Sequence, residues 1–133
     1  MLEVKQSRKP KRTHSSTHGN QILAVGLNHR TAPVEERESL AFSGAEVEQA
    51  LHRLSEQLDS AVLISTCNRT ELYTTGFVPS DTSTDLVGLL TGLKGVYLDR
   101  SRFYVNQHEA AVRHLYRVAA GIDSMVVGEG QIL

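Results

Sequence analysis

The stretch Ala61–Tyr73, AVLISTCNRTELY, places the single cysteine of this 133-residue chain directly after a short apolar run. A short apolar run, rich in β-branched residues and bounded by polar ones, is typical of a buried strand that ends in a loop. Loops at strand ends are where a rigid fold presents reactive groups. Cys67 is therefore a candidate nucleophile, with Arg69 as a nearby cation. The alternative, from spacing alone, is that Cys67 is a small buried apolar residue.

Apolar and capping patterns upstream of this stretch predict a strand and two helices. Gln21–Asn28 is mostly apolar and predicts the first strand. Pro33, followed by two glutamates, predicts a short helix over residues 33–41, since proline suits the first turn and acidic side chains favour a helix N-terminus. A capping box that begins at Ser43 predicts a second helix, which should end near Asp59.

Strand, helix and strand in this order predict a βαβ unit in which strands 22–27 and 61–65 are parallel neighbours. Ligands of such sheets bind outside the carboxyl ends of the strands. The loop at His29-Arg30 and the loop at Cys67 should therefore lie at one edge of the sheet. The predicted fold class is α+β, with a small βαβ-containing sheet packed with helices.

The second half of the chain predicts further elements. Glu71–Val78 alternates in the manner of a third strand, and leucines over residues 86–93 predict a helix that two glycines weaken. Arg102–Asn106 is either a strand or an extended link. Gln107–Ala120 has the clearest helical periodicity, and Gly121 suits its C-terminal cap.

Charge and composition limit the possible classes of function. Residues 1–20 carry five basic side chains and one acidic one, which predicts a disordered basic tail, with nucleic-acid binding as an alternative. No apolar run approaches the roughly 18 residues of a membrane span. One cysteine and histidines without ligand spacing predict no metal site. Neither GxGxxG nor GxxxxGK[ST] occurs, so the chain predicts no nucleotide site of its own.

A nucleophilic role for Cys67 requires help from other residues. A thiol has an ordinary pKa of about 8.5 and is mostly protonated at neutral pH. Arg69 could stabilise the thiolate or hold a substrate carboxylate in a bidentate pair. A histidine partner must come from a distant segment, and His114 and His29 are the candidates. The alternative for each histidine is ordinary hydrogen bonding in the core or at the surface.

Three segments and their spacing resemble glutamyl-tRNA reductase: GLNHRTAPVEERE at 26–38, STCNRTELY at 65–73, and AVRHLYRVAAGIDSMVVGEGQIL at 111–133. The resemblance implies that residues 21–133 form the N-terminal catalytic domain of that family, with a helical C-terminal part. It also implies that the NADPH-binding and dimerisation domains are absent, so that the chain is a fragment or a truncated product.

The resemblance further implies a mechanism and a set of site residues. Cys67 would attack the ester that joins glutamate to its tRNA, and hydride from NADPH, bound in a missing downstream domain, would reduce the thioester to glutamate 1-semialdehyde. Arg69 matches the residue that holds the glutamate carboxylate, and His114 matches a histidine important for activity. Gly130 stands where the family often has proline. The matching substrate-binding positions are Thr66, Cys67, Asn68, Arg69, Ser124, Glu129, Gly130 and Gln131.

The implied partners are glutamyl-tRNA, glutamate-1-semialdehyde aminomutase and, in the full-length family, a second copy of the chain. No membrane partner is expected, and the expected compartment is the cytoplasm, with the plastid as the alternative because residues 1–20 partly resemble a transit peptide. Two other functions stay open at this point. The chain could be a non-catalytic module that binds glutamyl-tRNA or a pathway partner, or Cys67 could be a redox sensor.

Overall fold

A computed structural model describes residues 3–8, 21–75 and 82–121 of the chain. Four predicted site residues lie outside this described part, namely Ser124, Glu129, Gly130 and Gln131. The end of the predicted third strand, residues 76–78, and the part of the predicted helical C-terminal region that follows residue 121 also lie outside it.

The described residues form a five-stranded sheet in which every neighbouring pair of strands is antiparallel. The strand order across the sheet is β1-β3-β4-β2-β5. The strands are β1 (Glu3–Arg8), β2 (Ile22–Asn28), β3 (Ser60–Ser65), β4 (Arg69–Thr75) and β5 (Tyr104–Gln107). The α+β class predicted from the sequence, a small sheet packed with helices, is confirmed.

The prediction that β2 and β3 are neighbours is wrong, because β4 lies between them. The three-residue turn after β3 sends the chain straight back, so β4 pairs with β3 on one side and with β2 on the other. The result is a split βαβ arrangement. Since both strands are antiparallel to β4, they run in the same direction, and their carboxyl ends lie at one edge of the sheet. The predicted shared edge is therefore confirmed: Arg37, from the helix that follows β2, donates to the Cys67 carbonyl at 3.4 Å.

The N-terminal segment also differs from its prediction. Residues 1–20 were expected to be disordered, but Glu3–Arg8 forms β1 and pairs with the whole of β3. Without β1, β3 would be an edge strand with unpaired backbone groups, and this pairing satisfies them. The polar sequence EVKQSR gives no apolar alternation, so the strand is specified by its partner and not by its own pattern.

Four helices accompany the sheet: α1 (Val34–Leu40), α2 (Gly44–Leu54), α3 (Thr82–Lys94) and α4 (Glu109–Ala119). The capping box of α2 is confirmed, since the Ser43 and Glu46 side chains each accept from the other residue's backbone N–H, at 3.3 and 3.0 Å. α2 ends at Leu54, five residues before the predicted end. A short 3-10 helix (Arg100–Arg102) precedes β5, and Gly121 ends α4 with φ 75°, as expected for a C-terminal cap.

The helices cover the two faces of the sheet unequally. α1, α2 and α3 pack on one face around the larger apolar cluster, and α4 covers the other face. Buried members of the larger cluster include Leu23, Val25, Leu27, Leu63 and Leu72 from the strands and Leu40, Val47, Leu51, Leu54, Leu86 and Leu90 from the helices. Under α4 the buried apolar cluster is smaller and consists of Ala24, Ile64, Tyr73 and Ala111, with Ile22, Val62 and Leu115 packed partly buried against it. Polar side chains are also buried on this face.

Candidate active site

The turn between β3 and β4 presents the cysteine. The Thr66 hydroxyl oxygen accepts from the backbone N–H groups of Asn68 at 3.1 Å and Arg69 at 3.2 Å. The Thr66 N–H donates to the Arg69 carbonyl at 2.8 Å, which closes the turn. Cys67 lies at its tip and is exposed. The interpretation of Cys67 as a buried apolar residue is therefore wrong, and its sulfur is open to a reactant.

Arg69, the first residue of β4, is buried and not at the surface. Its side chain is 1% exposed, and its Nη1 lies 3.6 Å from Oε2 of Glu71, which is also 1% exposed. Both side chains lie on the α4 face, because alternate residues of a strand point to the same side. A buried charge requires a partner, and this pair supplies one for each. A substrate carboxylate that binds Arg69 would therefore share the guanidinium with Glu71.

The Glu71 carboxylate accepts hydrogen bonds from three further side chains. Oε1 accepts from the Tyr73 hydroxyl at 3.0 Å. Oε2 is bonded by the Tyr104 hydroxyl and by Nε2 of His114. These donors come from β4, β5 and α4, so one carboxylate joins three elements. Because an ionised carboxylate only accepts, Nε2 is the nitrogen of His114 that carries the proton.

Tyr104 is a permanent donor in this cluster. Burial, and then the negative charge of Glu71, raise the pKa of the Tyr104 hydroxyl far above its usual value. The hydroxyl therefore stays protonated at any physiological pH and donates to Glu71. The Tyr104 ring also packs against the His114 ring, with 5.0 Å between the centroids and 57° between the planes.

Gly26 provides the space that Glu71 occupies. In the sheet register Gly26 on β2 lies opposite Glu71 on β4 and opposite Tyr104 on β5. A Cβ at position 26 would lie 2.8 Å from Cγ of Glu71 and 2.6 Å from the backbone oxygen of Thr70. Because that side chain is absent, Glu71 can extend across β2 to reach Tyr104 and the helix above it.

The structure brings His114 together with Arg69 through Glu71. The sequence had named His114 as a possible partner of Cys67 instead. The His114 side chain is 16% exposed, so part of it remains accessible. Within the described residues, no hydrogen bond joins His114 directly to Cys67. The other candidate, His29, lies half-buried in the loop after β2.

A cavity of about 310 Å³ lies beside Cys67 on the opposite face of the sheet from Glu71. It is lined by Ala41, Phe42, Ser43, Gly44, Ser65, Thr66 and Cys67. Cys67 therefore lines this cavity, two residues before Arg69 of the polar cluster. A larger cavity of about 740 Å³ runs along the outer side of α4, next to Ile22 at the far end of β2.

The described residues contain no group of three or more His, Cys, Asp or Glu side chains arranged to bind a metal ion. In the same part of the chain, no helix is long and apolar enough to cross a bilayer. The sequence contains neither the GxGxxG nor the GxxxxGK[ST] pattern of nucleotide-binding sites.

Comparison with known proteins identifies the family. Residues 25–133 match the sequence profile described as "Glutamyl-tRNAGlu reductase, N-terminal domain". The chain belongs to the glutamyl-tRNA reductase family. The predicted family is thereby confirmed.

Individual relatives agree with this assignment. Glutamyl-tRNA reductase of Xanthomonas oryzae pv. oryzae is 50% identical over 118 residues, and that of Rubrobacter xylanophilus is 48% identical over 118 residues. Each alignment covers 84% of this chain and 25% or 27% of the relative. The solved glutamyl-tRNA reductase from Methanopyrus kandleri superposes with a TM-score of 0.64 at 36% identity, over 84% of this chain and 25% of that one. The chain therefore spans about a quarter of the length of these glutamyl-tRNA reductases.

Several residues of the site were not predicted from the sequence. Glu71, Tyr104 and Gly26 were assigned no role, although two signals pointed to them. The alternation of RTELYTT places Arg69 and Glu71 on one face of a strand, and a glycine inside an apolar strand often marks a close approach by another group. Neither signal identifies the partners, which come from β5 and α4.

Proposed function

We propose that this chain forms a glutamyl thioester from glutamyl-tRNA, as the N-terminal part of an NADPH-dependent reductase of the tetrapyrrole pathway. The observation that carries the proposal is the exposed Cys67 at the tip of a turn whose next residues lead into the buried Arg69–Glu71–His114 cluster. Membership of the glutamyl-tRNA reductase family supports the choice of substrate.

The proposed step is an acyl transfer to sulfur. The Cys67 thiolate attacks the carbonyl carbon of the ester, a C–S bond forms, and the ester C–O bond breaks. The oxygen of the terminal ribose leaves with the tRNA and takes up the proton that the Cys67 thiol has given up, which restores the ribose hydroxyl. Covalent capture fixes the glutamyl group on the protein, and the turn at Thr66 holds the sulfur at an accessible position.

Arg69 and His114 have separate roles in this step. Arg69 binds the glutamate carboxylate and shares its charge with Glu71. His114 has Nε2 bonded to Glu71, so Nδ1 is the nitrogen that remains for the carbonyl or leaving oxygen. Thr66 and Asn68 support the turn, and Ser124, Glu129, Gly130 and Gln131 remain predicted substrate-binding residues.

The reduction of the thioester is not assigned to residues of this chain, because its sequence has no glycine-rich dinucleotide pattern. NADPH bound by other residues would supply the hydride. In the chain alone, water hydrolyses the thioester, which releases glutamate and restores the Cys67 thiol. Pairing with a second copy, contact with glutamate-1-semialdehyde aminomutase, and a cytoplasmic location remain predictions.

The test uses the chain with tRNA that carries radiolabelled glutamate, without NADPH. We expect transient label on the protein, sensitive to hydroxylamine, followed by slow release of glutamate. Because Cys67 is the only cysteine, Cys67→Ser removes every thiol. The variant should carry no hydroxylamine-sensitive label and release glutamate no faster than the uncatalysed ester.

A matched control moves the thiol to another position. Cys67→Ser combined with Glu56→Cys restores an exposed cysteine just after α2, away from the cluster. This double variant should be as inactive as Cys67→Ser. If the wild type binds charged tRNA in a salt-dependent way but never becomes labelled, the chain is a binding module instead.

A further inference from the structure

We propose that Tyr104 is a positioning residue for the acyl transfer, and that its hydroxyl and ring together hold Glu71 and His114 in their working arrangement. The inference rests on the proposed function for its kinetic part, but its structural part can be tested without any substrate.

Tyr104 makes two different contacts with the same pair of residues. Its hydroxyl donates to Oε2 of Glu71, the oxygen that also receives Nε2 of His114. Its ring lies against the imidazole, with centroids 5.0 Å apart. Three side chains thus form a closed set of contacts, in which the position of each depends on the other two. A histidine held by one hydrogen bond alone can still rotate about it, whereas ring contact limits that rotation.

The orientation of His114 matters because only one nitrogen is left for the reactants. With Nε2 bonded to Glu71, the direction of Nδ1 is set by the plane of the ring. A general acid or base must lie within hydrogen-bond reach of the atom that it serves, and small misplacements reduce its effect. Loss of the Tyr104 hydroxyl should therefore slow the chemical step and leave the binding of substrate nearly unchanged.

Tyr73 offers a matched comparison within the same cluster. It also donates a phenolic hydrogen bond to Glu71, at 3.0 Å, but to the other oxygen, Oε1. Its neighbours are the apolar residues Ala24 and Ala111, and its bond does not share an oxygen with His114. Tyr73→Phe and Tyr104→Phe each remove one phenolic hydrogen bond to the Glu71 carboxylate, so a difference between the two variants reports on His114.

The first measurement is NMR of the His114 side chain in the wild type and both variants. The signal of the Nε2 proton is assigned by its loss in His114→Gln. Bonding to a buried carboxylate should move this proton downfield and slow its exchange. We expect Tyr104→Phe to shift and broaden the signal, and Tyr73→Phe to change it much less.

The second measurement is single-turnover transfer of labelled glutamate to Cys67. Tyr104→Phe should lower the maximal rate about tenfold, the scale of one hydrogen bond to a charged group, with the half-saturating tRNA concentration nearly unchanged. Tyr73→Phe should lower the rate clearly less. Urea unfolding of both variants checks that each is folded under the conditions used.

The outcomes separate the two proposals. If the wild type forms no thioester, the proposed function fails, while the NMR comparison still tests Tyr104. An unchanged His114 signal in Tyr104→Phe overturns the inference whatever the rate does. Equal changes in the His114 signal or in the rate for Tyr73→Phe and Tyr104→Phe also overturn the inference. Tyr104 would then be only one of two hydrogen-bond donors that hold Glu71, with no separate effect on His114.

Discussion

The two faces of the sheet are built on different principles. Under α1, α2 and α3 the buried side chains are almost all apolar, and their burial stabilises the fold without any specific partner. Under α4 a fully buried arginine and glutamate lie among two tyrosines and a histidine. There each polar group depends on a particular neighbour, so this face relies on specific contacts where the other relies on apolar burial. Substitutions on the two faces should therefore fail in different ways.

The two largest losses in the free energy of unfolding should come from one substitution on each face of the sheet. Leu54→Ala removes a fully buried side chain of the apolar face and should lower the free energy of unfolding by about 3 kcal/mol. Glu71→Gln leaves the buried charge of Arg69 without its carboxylate partner and should cost about 4 kcal/mol. Urea denaturation at neutral pH measures both losses.

Activity should distinguish these two variants where stability does not. Leu54→Ala should transfer glutamate to Cys67 at the wild-type rate per folded molecule, because Leu54 belongs to the opposite face. Glu71→Gln should slow transfer at least tenfold, because Arg69 loses the negative charge beside it and the amide keeps only one oxygen for donors such as His114. Equal rates in the two variants would mean that the cluster under α4 is only structural.

The contrast between the faces also explains what could be predicted from the sequence. The capping box of α2 was predicted because Ser43 and Glu46 are three residues apart and form a local pattern. The apolar stripe of α2 was predicted for the same reason. The role of Glu71 was not predicted, because its partners Tyr104 and His114 lie 33 and 43 residues further along the chain. Which distant side chains meet depends on the strand order, and this was predicted wrongly.

The error in strand order has a simple physical origin. Strand, helix and strand fit either adjacent parallel strands or a split arrangement with another strand between them. The choice depends on whether β4 pairs with β2, which involves residues over 40 positions apart, such as Asn28 and Arg69. The proximity of Cys67 and Arg69 did not depend on the strand order, since both lie within one turn and its continuation.

A smaller loss of stability should come from a substitution at Gly26, which lies next to Glu71 in the sheet. Gly26→Ala places a methyl group 2.6 Å from the Thr70 backbone oxygen, and the sheet must shift locally to admit it. The expected loss is about 2 kcal/mol in the free energy of unfolding. Transfer of glutamate should fall as well, because Cγ of Glu71 is the second atom in the way, at 2.8 Å.

The control for this substitution is Gly92→Ala in α3. No heavy atom lies within 4 Å of a Cβ at that position, so alanine meets nothing there. In a helix interior alanine is favoured over glycine by up to about 1 kcal/mol, so this variant should be slightly more stable than the wild type. A Gly26→Ala variant of wild-type stability would show that Glu71 does not need the space next to β2.

The smallest effect on stability should come from Glu46, whose carboxylate is exposed, unlike that of Glu71. A hydrogen bond from Lys94, at 2.5 Å, is the main cause that lowers the pKa of Glu46 from 4.5 to about 2, and bonds from Ser43 add to it. Because the pKa is lower in the folded state, ionised Glu46 contributes stability above pH 4.5. That contribution should disappear as the pH falls from 4.5 towards 2. Thermal unfolding of the wild type and Glu46→Gln should therefore differ at pH 6 and converge near pH 2.

Glu56→Gln, which removes a charge just after α2, is the control for the loss of one negative charge. A difference between wild type and Glu46→Gln that persists unchanged to pH 2 would contradict the assignment. The capping role of the side chain, which glutamine can also fill, would then be the whole of its contribution.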